Sequence, residues 1–167
     1  MSVREIITKG DPVLGKKAHP VTRFDEKLHG LQDDKKDTLE EAGGAGLAAP
    51  QIGILRRVVV VADEEGEYLE LVNPTIVATE GEQDGLEGCL SVPGYWGSVK
   101  RPMKATVHAQ DRNGEWFERS GEAMTARCFC HELDHLEGKL YTELVEGRLY
   151  TNDELEQMME EQEDAQA

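Results

Sequence analysis

The chain has 167 residues, 34 acidic and 18 basic, and its formal charge of −16 repels phosphate backbones and anionic membrane surfaces. Hydrophobic residues at 38% and charged residues at 31% suit one globular core, and a chain of this length buries about two thirds of the surface its unfolded form exposes. Direct nucleic-acid binding and membrane insertion are not expected: no apolar run is long enough to span a bilayer, and MSVREIITKGDPVLG reads as neither a secretory signal nor a transit peptide. These features predict a cytoplasmic protein with a single domain over residues 1–167.

Residues 25–42, DEKLHGLQDDKKDTLEEA, space Leu28, Leu31 and Leu39 along one face among charges and predict an amphipathic helix. The following GGAGLAAPQIG is too rich in Gly and Ala to be stiff, which predicts a close-approach loop or strand edge. RRVVVVAD and YLELVNPTIVAT are β-branched runs separated by the turn EEGE and interrupted at Asn73-Pro74, so antiparallel strands are expected there. KATVHAQ and EWFERSG flank DRNG, where Asn113-Gly114 suits a tight hairpin. From 122 to 137 the pattern turns helical, with Met124, Cys128, His131 and His135 close to one stripe and Gly138 as the stop. Residues 151–167 carry a cap candidate at Thr151 or Asn152, acids in the first turn and a thin stripe of Leu155, Met158 and Met159, which predicts a terminal helix. The fold class is α+β: mainly antiparallel sheets packed around a central helix, with a helix at the C-terminus.

The central helix carries the chemistry. In CHELDHLEG, His131 and His135 project from one face a turn apart and can bind one ion together. Glu132 points about 100° round, where it can reach a water held by the ion without being a ligand, the division of labour known for H-E-x-x-H helices. A third protein ligand is needed, with a fourth position open for water if the site is catalytic. The spacing leaves it open: Glu143, Glu146, Asp153, Glu154 and Glu156 lie downstream, and Cys89 lies upstream in LEGCLSVPG, where it can present a thiolate. A downstream Glu would make an ordinary endopeptidase site. Three cysteines cannot close a complete disulfide set, and Cys128 and Cys130 read as core.

Three stretches, in this order, resemble the signature motifs of the peptide deformylase family: GAGLAAPQ (Gly44 to Gln51), EGCLS (Glu87 to Ser91) and HELDH (His131 to His135). GDPVLGKKAHPV near the start is similar as well, so the resemblance covers nearly the whole chain. It implies that Cys89, His131 and His135 bind one divalent metal ion, with Fe(II) the physiological choice and Zn, Ni or Co as alternatives. It implies further that Glu132 is the general base and acid, and that the Gln51 side-chain amide and the Leu90 backbone N–H meet the oxyanion. The implied reaction is hydrolysis of the formyl group from N-formylmethionyl nascent peptides. An extended substrate would pair with Ala45, Gly46 and Gly88, and Ala45, Met124 and Cys128 are candidates for a methionine pocket. Asp134 is expected in an ion pair that fixes the helix.

The chain departs from the family pattern in four places. Cys130 stands where Gln is common, which predicts altered packing and sensitivity to oxidation. Ala45 replaces a larger aliphatic residue, and Lys35 and Lys36 stand where relatives have apolar ones. Residues 151–167 hold seven acids and no Lys or Arg, unlike the basic tail with which some members touch ribosomal RNA. A bacterial cytoplasmic monomer with weak, transient, tail-independent ribosome contact is expected.

Overall fold

The structure is a computed structural model and describes residues 2–166. Helix α1 (Glu26–Ala42) leads into the short strand β1 (Gly46–Ala48), followed by β2 (Val58–Ala62), β3 (Tyr68–Glu80), β4 (Gln83–Cys89), β5 (Val92–Arg101), β6 (Lys104–Gln110) and β7 (Trp116–Glu122). Helix α2 (Met124–Leu136), strand β8 (Glu146–Thr151) and helix α3 (Asn152–Gln166) complete the chain. All pairings between these strands are antiparallel and form two sheets, one ordered β1-β2-β3-β6-β7 and one ordered β4-β5-β8.

The run Val58-Val59-Val60-Val61 shows why β2 lacks the alternation of a half-buried strand. Val59 and Val61 pack with Phe129, Leu133 and Leu136 of α2, whereas Val58 and Val60 pack with Leu28, Leu31 and Leu39 of α1. Both faces of the strand are covered, so both must be apolar. The first sheet is thus sandwiched at β1 and β2, with α2 between it and the second sheet, where it also touches β5.

Asn73-Pro74 does not end the strand. β3 runs through it with a register shift between Val72 and Thr75, and Asn73 adopts φ +50°. Its amide carries the local hydrogen bonding: Oδ1 accepts from Val21 N at 2.8 Å, while Nδ2 donates to Val21 O and to Gln110 Oε1. The dipeptide is a β-bulge. The hairpin at 111–114 forms as the sequence predicts, and α3 covers the predicted tail. The β4-β5-β8 sheet is the element that periodicity missed, because its glycines and exposed aromatics blur the two-residue alternation.

Candidate active site

Two of the metal-ligand candidates come from α2 and one from the end of β4. The donor atoms of Cys89, His131 and His135 lie within 4.8 Å of one another, and Cys89 Sγ stands 3.3 Å from His135 Nε2. Around a tetrahedral ion with sulfur at about 2.3 Å and imidazole nitrogen at about 2.0 Å, such atoms stand about 3.5 Å apart. The trio fits a metal by donor type and by spacing. Among the described residues no carboxylate joins the cluster, so Glu143, Glu146, Asp153, Glu154 and Glu156 have no place in it.

A buried charge network orients the helix side of this cluster. His131 Nδ1 lies 2.8 Å from Glu87 Oε1, which leaves Nε2 of a neutral ring for the metal side. Arg101 holds Glu87 with two hydrogen bonds, 2.7 Å from Nε to Oε2 and 2.9 Å from Nη2 to Oε1. Arg127 Nη1 donates to the same Oε2 at 2.7 Å, and Arg101 Nη1 reaches Asp134 Oδ2 at 2.8 Å. The ion pair expected of Asp134 is therefore present. Burial acts to raise the Glu87 pKa, but hydrogen bonds from Arg101 and His131 bring it down to about 2.

The two imidazoles differ. Burial, reinforced by the charges of His131 and Arg101, takes His135 down to about 3, so its ring is neutral at physiological pH with a lone pair to give. His131 is depressed by burial too, but contacts with Cys89 and Glu87 and the Glu132 charge outweigh that and hold it well above the usual imidazole value. A pocket that favours a proton at this point favours a cation there.

Glu132 is 4% exposed, its Oε1 has no protein partner, and burial raises its pKa to about 7 against the opposing charges of His131 and Lys35. A Cβ at Gly46 would stand 2.7 Å from Glu132 Oε2, so β1 can approach the carboxylate only with glycine there. Gly46 itself is buried, while Ala45 beside it is exposed. Gln51, in the 3-10 turn Ala49–Ile52, is clamped at both ends of its amide. Oε1 accepts from Ala48 N at 2.9 Å, and Nε2 reaches Ser91 Oγ at 3.1 Å and Cys89 Sγ at 3.5 Å. Leu90 occupies the turn between β4 and β5, half-buried, with its side chain where a Cβ on Gly44 would be.

In front of these groups runs a groove of about 490 Å³, bounded by Ala42–Gly46 on one side and Leu86–Leu90 on the other. β1 and β4 are each at the edge of their sheet, and residues of both line the groove. Met124, 62% exposed, and Cys128 border it, as does Gly88. Cys130 lies on the opposite side of α2, lining another cavity with Arg101 and Asp134. Cys128 and Cys130 both pack in the core cluster with Phe129, as expected, and burial pushes the Cys128 thiol up to about 12 and Cys130 to about 11.

Sequence reasoning passed over Glu87, Ser91, Arg101 and Arg127 as working parts of the site. Glu87 was within reach: it precedes Cys89 by two residues on β4, and across the register shift between them both side chains still meet histidines of α2. Arg101 and Arg127 carry no such local signal. Lys35 is wholly buried rather than at the helix surface, with Nζ 3.3 Å from Gln32 Oε1 and its pKa driven well down by burial.

The sequence model of a family described as polypeptide deformylase matches residues 3–149. The chain belongs to the peptide deformylase family. Among deformylase relatives, Peptide deformylase 2 of Clostridium acetobutylicum is 49% identical over 146 residues, covering 87% of this chain and 97% of that protein. The peptide deformylase of Caldanaerobacter subterraneus is 50% identical over 160 residues, covering 96% of this chain and 99% of its own. The crystal structure of a deformylase from Legionella pneumophila superposes with a TM-score of 0.84 at 44% identity, covering 95% of this chain and 90% of that one. The match to the family model stops at residue 149, three residues before α3 begins.

Proposed function

We propose that this chain hydrolyses the formyl group from N-formylmethionyl nascent polypeptides, releasing formate and a free amino terminus. The observation that carries the reading is the junction of a thiol, two imidazoles and a buried carboxylate at the floor of a groove flanked by two sheet edges, in a chain of the deformylase family. Cys89, His131 and His135 would hold one divalent ion. A thiolate with two imidazoles suits Fe(II), Zn, Ni or Co, and we assign Fe(II) as the physiological ion. When bound, the ion supplies Lewis acidity towards the formyl oxygen and lowers the pKa of water from about 15.7 towards 7.

The protein groups supply the rest. Glu132, whose pKa stands at about 7, takes a proton from the attacking water and returns it to the departing nitrogen. As the formyl carbon becomes tetrahedral, negative charge grows on its oxygen, and the Gln51 amide and Leu90 N–H donate to it. Gln51 is already held in place by Ala48 N and Ser91 Oγ, so little side-chain freedom remains to be lost in the reaction. Ala45, Gly46 and Gly88 pair with the extended peptide backbone, which reads no sequence and so admits many nascent chains. The protein acts as a monomeric single domain over residues 1–167 in the bacterial cytoplasm, and its ribosome contact is transient and independent of the acidic α3. Among the described residues no helix is long and apolar enough to cross a membrane.

Formate release from formyl-Met-Ala is the direct test, with protein reconstituted anaerobically with Fe(II), Ni(II) or Zn(II). Cys89→Ala should lose both metal and turnover, whereas Glu132→Gln should keep the metal and lose at least about 10²-fold in kcat. No release with any of the three ions would sink the assignment.

A further inference from the structure

The groove extends past the reacting groups to an aromatic wall that the deformylation chemistry does not use. Trp96 of β5 lines it, 38% exposed, and Leu86 of β4, 46% exposed, lies further along the same wall. Both side chains lie on one face of the β4-β5-β8 sheet. Leu86 is registered with Ser98, two residues from Trp96, and paired positions in an antiparallel ladder share a face.

Two contacts hold the indole in place. Its six-membered ring lies over Gly88, where a Cβ would stand 2.7 Å from the nearest ring atom, so only glycine lets the ring settle against β4. At the other end, Nε1 donates to Asn152 Oδ1 at 2.6 Å, and Asn152 is the first residue of α3. An indole pinned at both ends, with more than a third of its surface open to a groove, is a preorganised apolar platform.

Resting on the deformylase reading above, we propose that Trp96 forms a subsite for an apolar side chain downstream of the formyl-methionine, and that Asn152 of α3 is the positioning residue that holds its ring. The occupant follows from continuity: Trp96 lines the same groove as Cys89, Gln51, His131 and Glu132, and its ring covers Gly88, which flanks Cys89 on β4. An extended chain advances about 3.3 Å per residue, so a peptide whose formyl group sits at Cys89 passes this ring within its first residues. The acidic C-terminal helix thereby takes part in substrate selection through its first residue, while its later turns stay in solvent.

Two peptide series test the subsite: formyl-Met-Leu-Ala and formyl-Met-Ala-Leu against formyl-Met-Gly-Gly, with the metal-loaded full chain. The Leu peptide that reaches the ring should show kcat/KM at least about fivefold above the Gly peptide. Trp96→Ala should lower that peptide about tenfold, through KM, and the Gly peptide less than twofold. Trp96→Phe should restore most of the difference, and Asn152→Ala should lose about threefold with the same selectivity. Equal losses on all peptides would overturn the proposal and leave Trp96 a structural residue. An arm without turnover uses the chain's two tryptophans. Trp116 stacks on His108 in the other sheet, so Trp116→Phe with Glu132→Gln leaves Trp96 as the sole indole in a protein that binds without cleaving. Its fluorescence should shift with the Leu peptide and not with the Gly peptide, and an unresponsive signal at saturating Leu peptide would overturn the subsite. Absence of formate from every peptide would count against the deformylase reading alone, since the fluorescence still decides the subsite.

Discussion

Helices α2 and α3 invert the usual relation between local signal and structural weight. α3 has the signals of an autonomous helix: Thr151 and Glu154 hydrogen-bond reciprocally at its start, and Asp153 and Glu154 sit in its first turn. Yet only its first turn meets the body, and its residues from Glu156 to Ala165 are exposed. α2 is preceded by a cap residue, Ala123, with φ +52° and no side-chain cap, and among Ala126, Arg127, Glu132 and Leu133 it places Thr125, Phe129, two cysteines and two histidines, all weaker helix formers. Eleven of its thirteen residues are buried, and it carries two of the candidate ligands and the candidate base. A helix held from outside can afford residues chosen for chemistry, while a helix held by its own caps is left with little to do but present one end.

Four measurements sharpen that contrast. Phe129→Ala, in the wholly buried centre of α2, should cost about 3–5 kcal/mol in denaturant unfolding, and a loss under 1 kcal/mol would mean α2 is not held by packing. Glu87→Gln should cost about 3 kcal/mol at neutral pH, because Arg101 and Arg127 lose a fully buried carboxylate. Its pH dependence has a definite sign. The folded pKa of about 2 lies below the ordinary glutamate value of 4.5, so the stabilisation is complete above about 4.5 and disappears as pH falls through 2. The gap between parent and variant should therefore close across that window in metal-free protein, and a pH-independent gap would contradict the network. Gly46→Ala should leave the melting temperature within a few degrees but lower kcat at least about tenfold, since the new methyl displaces the Glu132 carboxylate. Met159→Ala on α3, 65% exposed, should change stability by less than about 0.5 kcal/mol.

The same contrast explains what could be read from the chain. His131 and His135 are four apart on a helix, and that geometry is local, so the pair was legible at once. Cys89 was not decidable by spacing, because the 34 residues from 90 to 123 separate the strand bearing it from α2. The motif resemblance named it, and the fold brings its sulfur 3.3 Å from His135. The burial of Lys35 was not legible for a related reason: its amphipathic helix has charges on both flanks, and only the packing of α1 on β1 and β2 shows which flank is covered.

By itself the amino-acid sequence determined the α+β class, the helical face with its paired histidines, the Asn113-Gly114 hairpin and the acidic tail. Each of these depends on periods of two or 3.6 residues, on turn chemistry or on charge summed along the chain. Tertiary structure alone decided that the four valines of β2 are covered on both faces, that Asn73 is a bulge rather than a break, and that Glu87, Arg101, Arg127 and Asp134 meet behind His131. It also decided that the first residue of the tail helix reaches back to Trp96 across 56 positions. Contacts between elements far apart in the chain leave no periodic trace, since each partner need only be compatible with its own strand or helix and the fold supplies the meeting.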